Sequence, residues 1–355
     1  MRTLLAFALT LGALGASPAQ ACIDEVLHGR ELMDRPHARG RPTVVQVGYD
    51  VIDVREIDGQ SQTFAMDLYF WLQWTDERLA FDPAVIGDET CRIDPHQIKE
   101  GGHFWNPHPE FINLRSESRR GNELFTVSED GAVYFERRFT GTFDASFELT
   151  RFPLDEQELP VFLESFYPRS EVIFEPVEEN RGDALDNTID TIDLPAWGVL
   201  GVHAEEKVFT WESDADSDFS RYTYSIQVER RFGYYLWKIV VPLLLIVMLS
   251  WLVFWMSAQA LEAQMGVSVT CILSVIAFNF VIADSLPKIP YLTLLDLWVL
   301  ISYLFVFMSA VENVGCHYLT NSGRQTTADR IDWVCRWAFP LGFVLVNVLV
   351  VALRV

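Results

Sequence analysis

One stretch of the chain mixes acidic and polar residues into an apolar background. Between residues 260 and 284, Glu262 and Asp284 bracket small, hydroxyl and apolar side chains. On a helix that turns about 100° per residue, seven of these residues, polar and apolar, fall within one sector of roughly 80° and form a stripe along the helix. That stripe consists of Glu262, Gly266, Thr270, Leu273, Ala277, Phe280 and Asp284. The opposite side consists of Cys271, Val275, Phe278 and Ile282.

The chemistry that suits this stripe is ion permeation. A charged side chain costs roughly 2.5–3.5 kcal/mol at the bilayer centre, so intramembrane charges usually face water. In a cyclic oligomer each position becomes a ring. An acidic ring at Glu262 would select cations, and apolar rings at Leu273, Ala277 and Phe280 would close a pore by dewetting. The alternative is a stripe packed inside an ordinary bundle, with Glu262 at a wet helix end; the helix alone leaves both open.

The elements that must position this stripe are membrane spans. The chain has 355 residues, with 49 acidic and 27 basic side chains. Its composition changes near Arg231: charged and aromatic residues alternate before this point, and long apolar runs follow it. A span needs roughly 20 apolar residues. We predict four spans, at about 234–255, 260–284, 292–318 and 331–353. Tyrosine and tryptophan cluster near the span ends, as at membrane interfaces.

The N-terminus predicts export. Residues 1–21 have a basic start at Arg2, an apolar core from Leu4 to Leu14 and a small-residue site at 19–21, which is typical of a signal peptide; a short anchor is the alternative. We therefore expect an exported domain at 22–231 and a membrane domain at 232–355, in the inner membrane with the N-terminal domain outside. The internal link from Thr320 to Asp329 is too short for a cytoplasmic signalling domain.

The exported part predicts an all-β fold. Leu68, Phe70, Leu72 and Trp74 alternate with Tyr69, Trp71 and Gln73, as in a strand with one buried face. Similar runs occupy residues 44–54 and 222–228, and turn signals separate them. Many short punctuated strands predict a β-sandwich. The five cysteines have no spacing that indicates a disulfide framework or a metal site.

Four motifs in a shared order carry a resemblance. They are Arg151-Phe-Pro-Leu-Asp-Glu-Gln157, Trp74-Thr-Asp-Glu-Arg-Leu79, Trp105-Asn-Pro107 with Asn113, and Ser285-Leu-Pro-Lys-Ile-Pro-Tyr291. From about Val44 onwards the chain resembles the pentameric ligand-gated ion channels (the Cys-loop receptor family), and in particular their prokaryotic members. Where the animal receptors bridge two cysteines across the Phe-Pro turn, this chain has Ala145 and Leu159, so it is similar to the cysteine-less form.

The resemblance implies five identical subunits around a pore lined by the second span, with Glu262 as the selectivity ring. It implies agonist binding between subunits, at Tyr69, Trp71, Ile112, Phe166, Tyr167, Trp211, Phe219 and Tyr222. Packing within the sandwich is the alternative role of each aromatic residue. It also implies coupling of binding to gating through Glu56, Asp58, Phe152, Pro153, Asp155, Arg230, Pro287 and Lys288. Within that set, Asp155 and Arg230 are predicted to form a buried ion pair.

The function predicted from the sequence is a ligand-gated or proton-gated cation channel. Its expected partners are a small-molecule agonist, a proton or a divalent cation, permeant monovalent cations and the bilayer; no cofactor and no nucleic acid are expected. Asp214, Asp216 and Asp218 belong either to a solvated loop or to a divalent-ion site. A membrane-anchored enzyme is disfavoured because no catalytic motif is present. A sensor or binding protein without conduction is the remaining alternative.

Overall fold

The computed structural model describes most of the chain after the N-terminal segment. The described residues are 22, 25–27, 32–36, 40–95, 104–177, 192, 194–212, 214–257, 259–283 and 288–354, without the side chains of 119, 120, 122, 214–216 and 281–283. The predictions for residues 1–21, Asp284, Pro287 and the side chains of Asp214 and Asp216 lie outside this set.

Two antiparallel sheets form the N-terminal half. The strands are β1 (Thr43–Asp58), β2 (Thr63–Thr75), β3 (Thr90–Ile93), β4 (Pro109–Phe111), β5 (Leu114–Ser128), β6 (Ala132–Asp144), β7 (Glu156–Ser165), β8 (Val172–Pro176), β9 (Trp197–Trp211) and β10 (Asp214–Arg230). A six-stranded sheet has the order β3-β5-β6-β2-β1-β8, and a four-stranded sheet has the order β4-β7-β10-β9. Only the β1–β8 pair is parallel among the described strands.

The two sheets pack face to face through aromatic and aliphatic side chains. Leu68 and Leu72 of β2 are fully buried, as the alternation predicts. The ring of Tyr49 on β1 stacks against Tyr222 and Tyr224 of β10, with centroids 5.4 and 5.2 Å apart. Rings from opposite sheets therefore share one core, and the predicted sandwich is confirmed.

A disulfide joins the start of the described chain to the sandwich. Cys22 and Cys91 are bonded, with Cα atoms 5.7 Å apart, although 69 residues separate them in sequence. The prediction of no disulfide framework is therefore wrong, because spacing alone gives no signal for a pair brought together by folding. Val26 and Leu27, close after Cys22 in the chain, are buried in the hydrophobic core. The Phe-Pro turn itself still lacks a bridge, since Ala145 and Leu159 pack in the core.

Four helices follow, each long and apolar enough to cross a membrane: α1 (Gly233–Trp255), α2 (Leu261–Ala283), α3 (Leu294–Asn321) and α4 (Gln325–Arg354). The start of α3 is defined by a capping box, in which Thr293 and Asp296 each bond the other's backbone N–H. A left-handed glycine, Gly323 with φ 77°, allows the tight turn between α3 and α4. The predicted fold class, a sheet-rich domain followed by four membrane helices, is confirmed.

Candidate functional site

The predicted stripe on α2 lies on its free face. All six described members, Glu262, Gly266, Thr270, Leu273, Ala277 and Phe280, are exposed in the protomer. The opposite side packs against the other helices: Cys271 and Val275 are buried, and the buried Ser268 accepts a hydrogen bond from Asn313 of α3 at 3.2 Å. The hydrogen bond on that buried face fixes the orientation of α2 about its own axis. The stripe therefore faces away from the subunit's own core.

The chemistry of this face changes along α2. Glu262 lies in the first helical turn, where the helix dipole favours a carboxylate. Two turns on, the Thr270 hydroxyl donates to the carbonyl of Gly266 at 2.7 Å, and the Thr270 side chain is exposed on this face. Leu273 and Phe280 follow, with 59% and 70% of their surface exposed. Val269 flanks this line and is 47% exposed.

A second group of predicted residues lies on β2. Tyr69 and Trp71 point away from the sandwich core, with ring centroids 6.1 Å apart. The Tyr69 hydroxyl donates to the carboxylate of Glu136; burial, and then this bond, raise the pKa of Tyr69, so it stays a neutral phenol. Gly48 lies under Trp71, because a Cβ there would lie 2.2 Å from an indole carbon. The missing side chain of Gly48 thus lets the indole lie flat on β1.

A third group follows β7, on the other sheet. Phe166 is 72% exposed, and Tyr167 packs against Trp105 with centroids 5.9 Å apart. Ile112 is half-buried and ties the β4–β5 turn to β7 by donating its N–H to the carbonyl of Phe162 at 2.9 Å. These residues follow a strand of the four-stranded sheet, whereas Tyr69 and Trp71 lie on a strand of the six-stranded sheet.

Tyr222 is not available to a ligand. Its side chain is fully buried against Tyr49, so the prediction of Tyr222 as a ligand contact is wrong. Side chains alternate along β10, and Tyr222 takes the inward position. Phe219 is half-buried and pairs in register with Phe209 of β9, and Trp211 is 37% exposed.

The outward neighbour of Tyr222 organises an aromatic cluster that the sequence did not reveal. Arg221 forms an ion pair with Glu164 of β7, and the two side chains are 13% and 4% exposed. Its guanidinium carbon lies 3.4 Å from the Phe209 ring centroid and 5.5 Å from that of Trp211. The indole N–H of Trp211 donates to Glu164 at 3.1 Å. The Arg221 guanidinium thus covers the ring faces of Phe209 and Trp211 near the β9–β10 turn.

Of Asp214, Asp216 and Asp218 at the same turn, only Asp218 has a described side chain. The Asp218 carboxylate accepts a hydrogen bond from the Thr210 hydroxyl at 2.8 Å and is exposed. Its backbone carbonyl accepts from the Arg169 N–H at 2.6 Å. A solvated, locally bonded aspartate fits the loop interpretation; the divalent-ion interpretation stays an untested prediction.

The predicted ion pair between Asp155 and Arg230 is present where the sandwich meets the membrane helices. The guanidinium bonds both carboxylate oxygens, at 2.7 and 3.0 Å, and the side chains are 1% and 10% exposed. Gln157 donates a further hydrogen bond to Asp155 at 2.6 Å. The ring of Trp197 lies 4.1 Å from the guanidinium carbon. Bidentate geometry, stacking and burial fix the end of β10 directly before α1.

The Phe-Pro turn docks onto the beginnings of two membrane helices. The first N–H groups of α3, at Leu294 and Leu295, donate to the carbonyls of Thr150 and Phe152 at 3.0 and 3.1 Å. These N–H groups lack partners within the helix, so the turn acts as an external cap. The Phe152 ring also packs edge-on against Tyr235 of α1, with centroids 4.8 Å apart. A displacement of this turn would therefore be felt by α1 and α3 together.

Two other predicted coupling residues lie at exposed positions, Glu56 near the end of β1 and Lys288 in the link between α2 and α3. Glu56 and Lys288 are exposed, and within the described residues neither makes an ion pair. Asp58 accepts a hydrogen bond from the Ser61 hydroxyl at 2.7 Å, which lowers its pKa. The carboxylate at the β1–β2 turn therefore stays ionised at lower pH than a free aspartate. Pro153 follows Phe152 through a cis peptide bond within the docked turn.

Comparisons with known proteins match this two-part architecture. A family model described as "Neurotransmitter-gated ion-channel ligand binding domain" matches residues 19–232, more than half of the chain, and one described as "Neurotransmitter-gated ion-channel transmembrane region" matches residues 239–327. The chain belongs to the neurotransmitter-gated ion-channel family. It is thus a ligand-gated channel rather than an enzyme, a multi-pass membrane protein with an extracellular N-terminal domain.

Several curated channel proteins are similar to this family member. A proton-gated ion channel of Gloeobacter violaceus is 28% identical over 316 residues, which cover 88% of this chain and 84% of the relative. The gamma-aminobutyric acid receptor subunit beta-4 of Gallus gallus is 26% identical, covering 85% of this chain and 61% of the relative. The subunit gamma-3 of Homo sapiens is 26% identical, covering 83% and 62%. The chain thus spans under two thirds of the length of these two receptor subunits.

The buried ion pair of Arg221 with Glu164 gives a stability prediction. Replacing Arg221 with Gln leaves a buried carboxylate without its cation, which typically costs about 3–5 kcal/mol. We expect a clearly lower thermal unfolding midpoint for the detergent-purified channel. Lys207→Gln is the matched control, because Lys207 pairs in register with Arg221 but is 62% exposed in its ion pair with Glu205, and exposed pairs contribute about 0–1 kcal/mol. Equal midpoints for the two variants would contradict the importance of burial.

Proposed function

We propose that the chain forms a homopentameric, cation-selective channel whose pore is lined by the α2 stripe. The observation that carries this proposal is the orientation of α2: its carboxylate, hydroxyl and apolar stripe is exposed, while its reverse face is packed and hydrogen bonded. A stripe with a charged end is unfavourable against lipid and favourable beside water. Around a symmetry axis it becomes an acidic ring followed by apolar rings.

The proposed gating stimulus is a small ligand or a proton acting on the extracellular domain. One relative is named as a proton-gated ion channel and another as a gamma-aminobutyric acid receptor subunit, which supports both stimuli. The site for a ligand lies between subunits, where Tyr69 and Trp71 of one protomer meet Phe166 and Tyr167 of the next. Since Arg221 fills the aromatic faces of Phe209 and Trp211, a cationic ligand is expected to use Phe166 and Tyr167 instead.

Transmission from this site runs through the Phe-Pro turn. Binding shifts a closed–open equilibrium by the ligand's differential affinity for the two states. The turn is bonded to Arg230 through Asp155 and to α3 through two backbone carbonyls, so one rigid element contacts both the ligand-binding domain and the pore domain.

The selectivity proposal is tested by Glu262→Gln. Removing the charge of the acidic ring lowers the local cation concentration at the pore mouth, so we expect the reversal potential under a salt gradient to move toward zero. Ligand- or proton-evoked current from the reconstituted channel provides the measurement. Asp329→Asn is the control, because Asp329 is an exposed carboxylate in the first turns of α4 rather than on α2. An unchanged reversal potential for Glu262→Gln would remove Glu262 from the selectivity filter.

A further inference from the structure

A compact group of metal-ligating side chains lies between α3 and α4, away from the α2 stripe. We call Glu312, Cys316 and Asp332 the α3–α4 cluster. One ligand atom of each lies within 4.8 Å of the others. Glu312 and Cys316 are one turn apart near the end of α3, and Asp332 lies two turns into α4. Because the α3–α4 turn is on the cytoplasmic side, the cluster lies at the cytoplasmic end of the membrane domain.

Two members of the cluster are buried and Glu312 is half-buried. Cys316 is 3% exposed and Asp332 is 8% exposed. One carboxylate oxygen of Glu312, Oε2, has less than 1 Å² of exposed surface and no hydrogen-bond partner. Its other oxygen accepts a hydrogen bond from the Cys316 thiol at 3.2 Å. A buried carboxylate oxygen with no donor is costly unless something else satisfies it.

No basic side chain neutralises these two carboxylates within the described residues. Arg336 is one turn beyond Asp332, but its Nε donates to the carbonyl of Phe254 at 3.0 Å and its guanidinium carbon lies 5.4 Å from the Trp255 ring centroid. Two ionised carboxylates with oxygens within 4.8 Å of each other repel in a low-dielectric environment. The cluster therefore has ligands for a cation, but no cationic side chain of the described residues balances its charge.

The donor set identifies the class of cation. A thiolate with two carboxylates is too soft for calcium or magnesium, which take oxygen ligands. Zinc and related divalent ions accept cysteine sulfur together with carboxylate oxygen, with three protein ligands and a fourth position for water. Metal–ligand bonds of about 2.0–2.3 Å place ligand atoms roughly 3.5 Å apart around such an ion, so distances of up to 4.8 Å within the cluster must shorten by about 1.3 Å at most.

We propose that Glu312, Cys316 and Asp332 bind a divalent transition-metal ion of the zinc type, entering from the cytoplasm and joining α3 to α4. On binding, the Cys316 thiol loses its proton to solvent and the sulfur forms a bond to the metal. Because the ligands come from two helices, the ion opposes their separation. This site is independent of the pore and of the ligand-binding faces.

Cobalt is the probe, because a cobalt–thiolate bond produces a near-ultraviolet charge-transfer band. Full-length channel purified in detergent and titrated with Co²⁺ is expected to show this band, and Zn²⁺ is expected to displace it. Cys316→Ser should abolish the band. Asp332→Asn and Glu312→Gln should weaken Co²⁺ affinity by at least about tenfold. Replacing residues that only support the metal ligands already weakens affinity by about 10- to 100-fold, and these two residues are ligands themselves. Cys335→Ser and Asp329→Asn are matched controls on α4 and should keep the band.

Thermal unfolding provides a second measurement that needs no cobalt signal. Zn²⁺ should raise the unfolding midpoint of the wild-type channel and of Cys335→Ser, because binding to the folded state alone stabilises it. It should not raise the midpoint of Cys316→Ser. Absence of a cobalt band in the wild type, a band that survives Cys316→Ser, or equal zinc-induced shifts in wild type and Cys316→Ser would each overturn the site.

Discussion

Replacing Arg230 with glutamine is expected to reduce ligand-evoked current by at least about tenfold. Arg230 is bound to Asp155 by two hydrogen bonds, and removing one partner of a buried ion pair typically costs about 3–5 kcal/mol. Asp155 belongs to the turn that caps α3 and packs on α1, so the loss reaches the pore domain directly. Current amplitude, divided by the amount of channel at the membrane surface, is the measurement.

The control for Arg230 is chosen from the same interface. Arg231→Gln removes an exposed charge directly after Arg230 and is expected to leave the current within about twofold, as for exposed charges in general. The double variant Arg230→Gln with Asp155→Asn removes both charges and should recover part of the current, because no unpaired carboxylate remains. Wild-type current from Arg230→Gln at equal surface abundance would show that the ion pair has no part in gating.

Replacing Leu273 with serine is expected to ease channel opening. A leucine side chain contributes about 1.5–3 kcal/mol when fully buried. In the closed state each Leu273 side chain is expected to gain only about a fifth of this burial free energy. Summed over five subunits, the ring then favours the closed state by about 1.5–3 kcal/mol. Since 1.4 kcal/mol corresponds to a tenfold change, the half-maximal ligand or proton concentration should fall by about 10- to 100-fold. Concentration–response curves and current without stimulus provide the measurement.

An equivalent leucine away from α2 serves as the matched control. Leu345 on α4 is 69% exposed, close to the 59% of Leu273, but it belongs to the face expected to contact lipid. Leu345→Ser should leave the half-maximal concentration within about threefold, since surface substitutions usually change free energy by about 0.5 kcal/mol or less. A curve for Leu273→Ser that stays in place or moves to higher concentration would exclude Leu273 from the gate.

The coupling region was predictable in part. The Phe-Pro motif carries part of the family resemblance, and the ion pair predicted between Asp155 of that motif and Arg230 is present in the structure. The sequence contains no signal that the carbonyls of Thr150 and Phe152 cap α3, because these bonds involve backbone groups that every residue has. Such contacts follow only from the position of the turn above the helix.

The ligand-binding faces were predictable in composition but not in detail. The Tyr222 ring is in the core, and its neighbour Arg221 is the residue that organises the outer aromatic cluster. Alternation along β10 predicts that these two side chains point in opposite directions, but it does not say which one is buried. Since Glu164 is 57 residues away from Arg221, only strand pairing shows that they meet.

What the sequence by itself determined are the periodic properties: four apolar spans, the alternation of β2 and the stripe of α2. These follow from the local geometry of helices and strands, in which the spacing between residues decides which side chains share a face. The tertiary structure alone decided which faces are buried and which distant residues meet, as in the Cys22–Cys91 bond and the α3–α4 cluster. Those contacts depend on how whole elements pack, and no spacing along the chain encodes them.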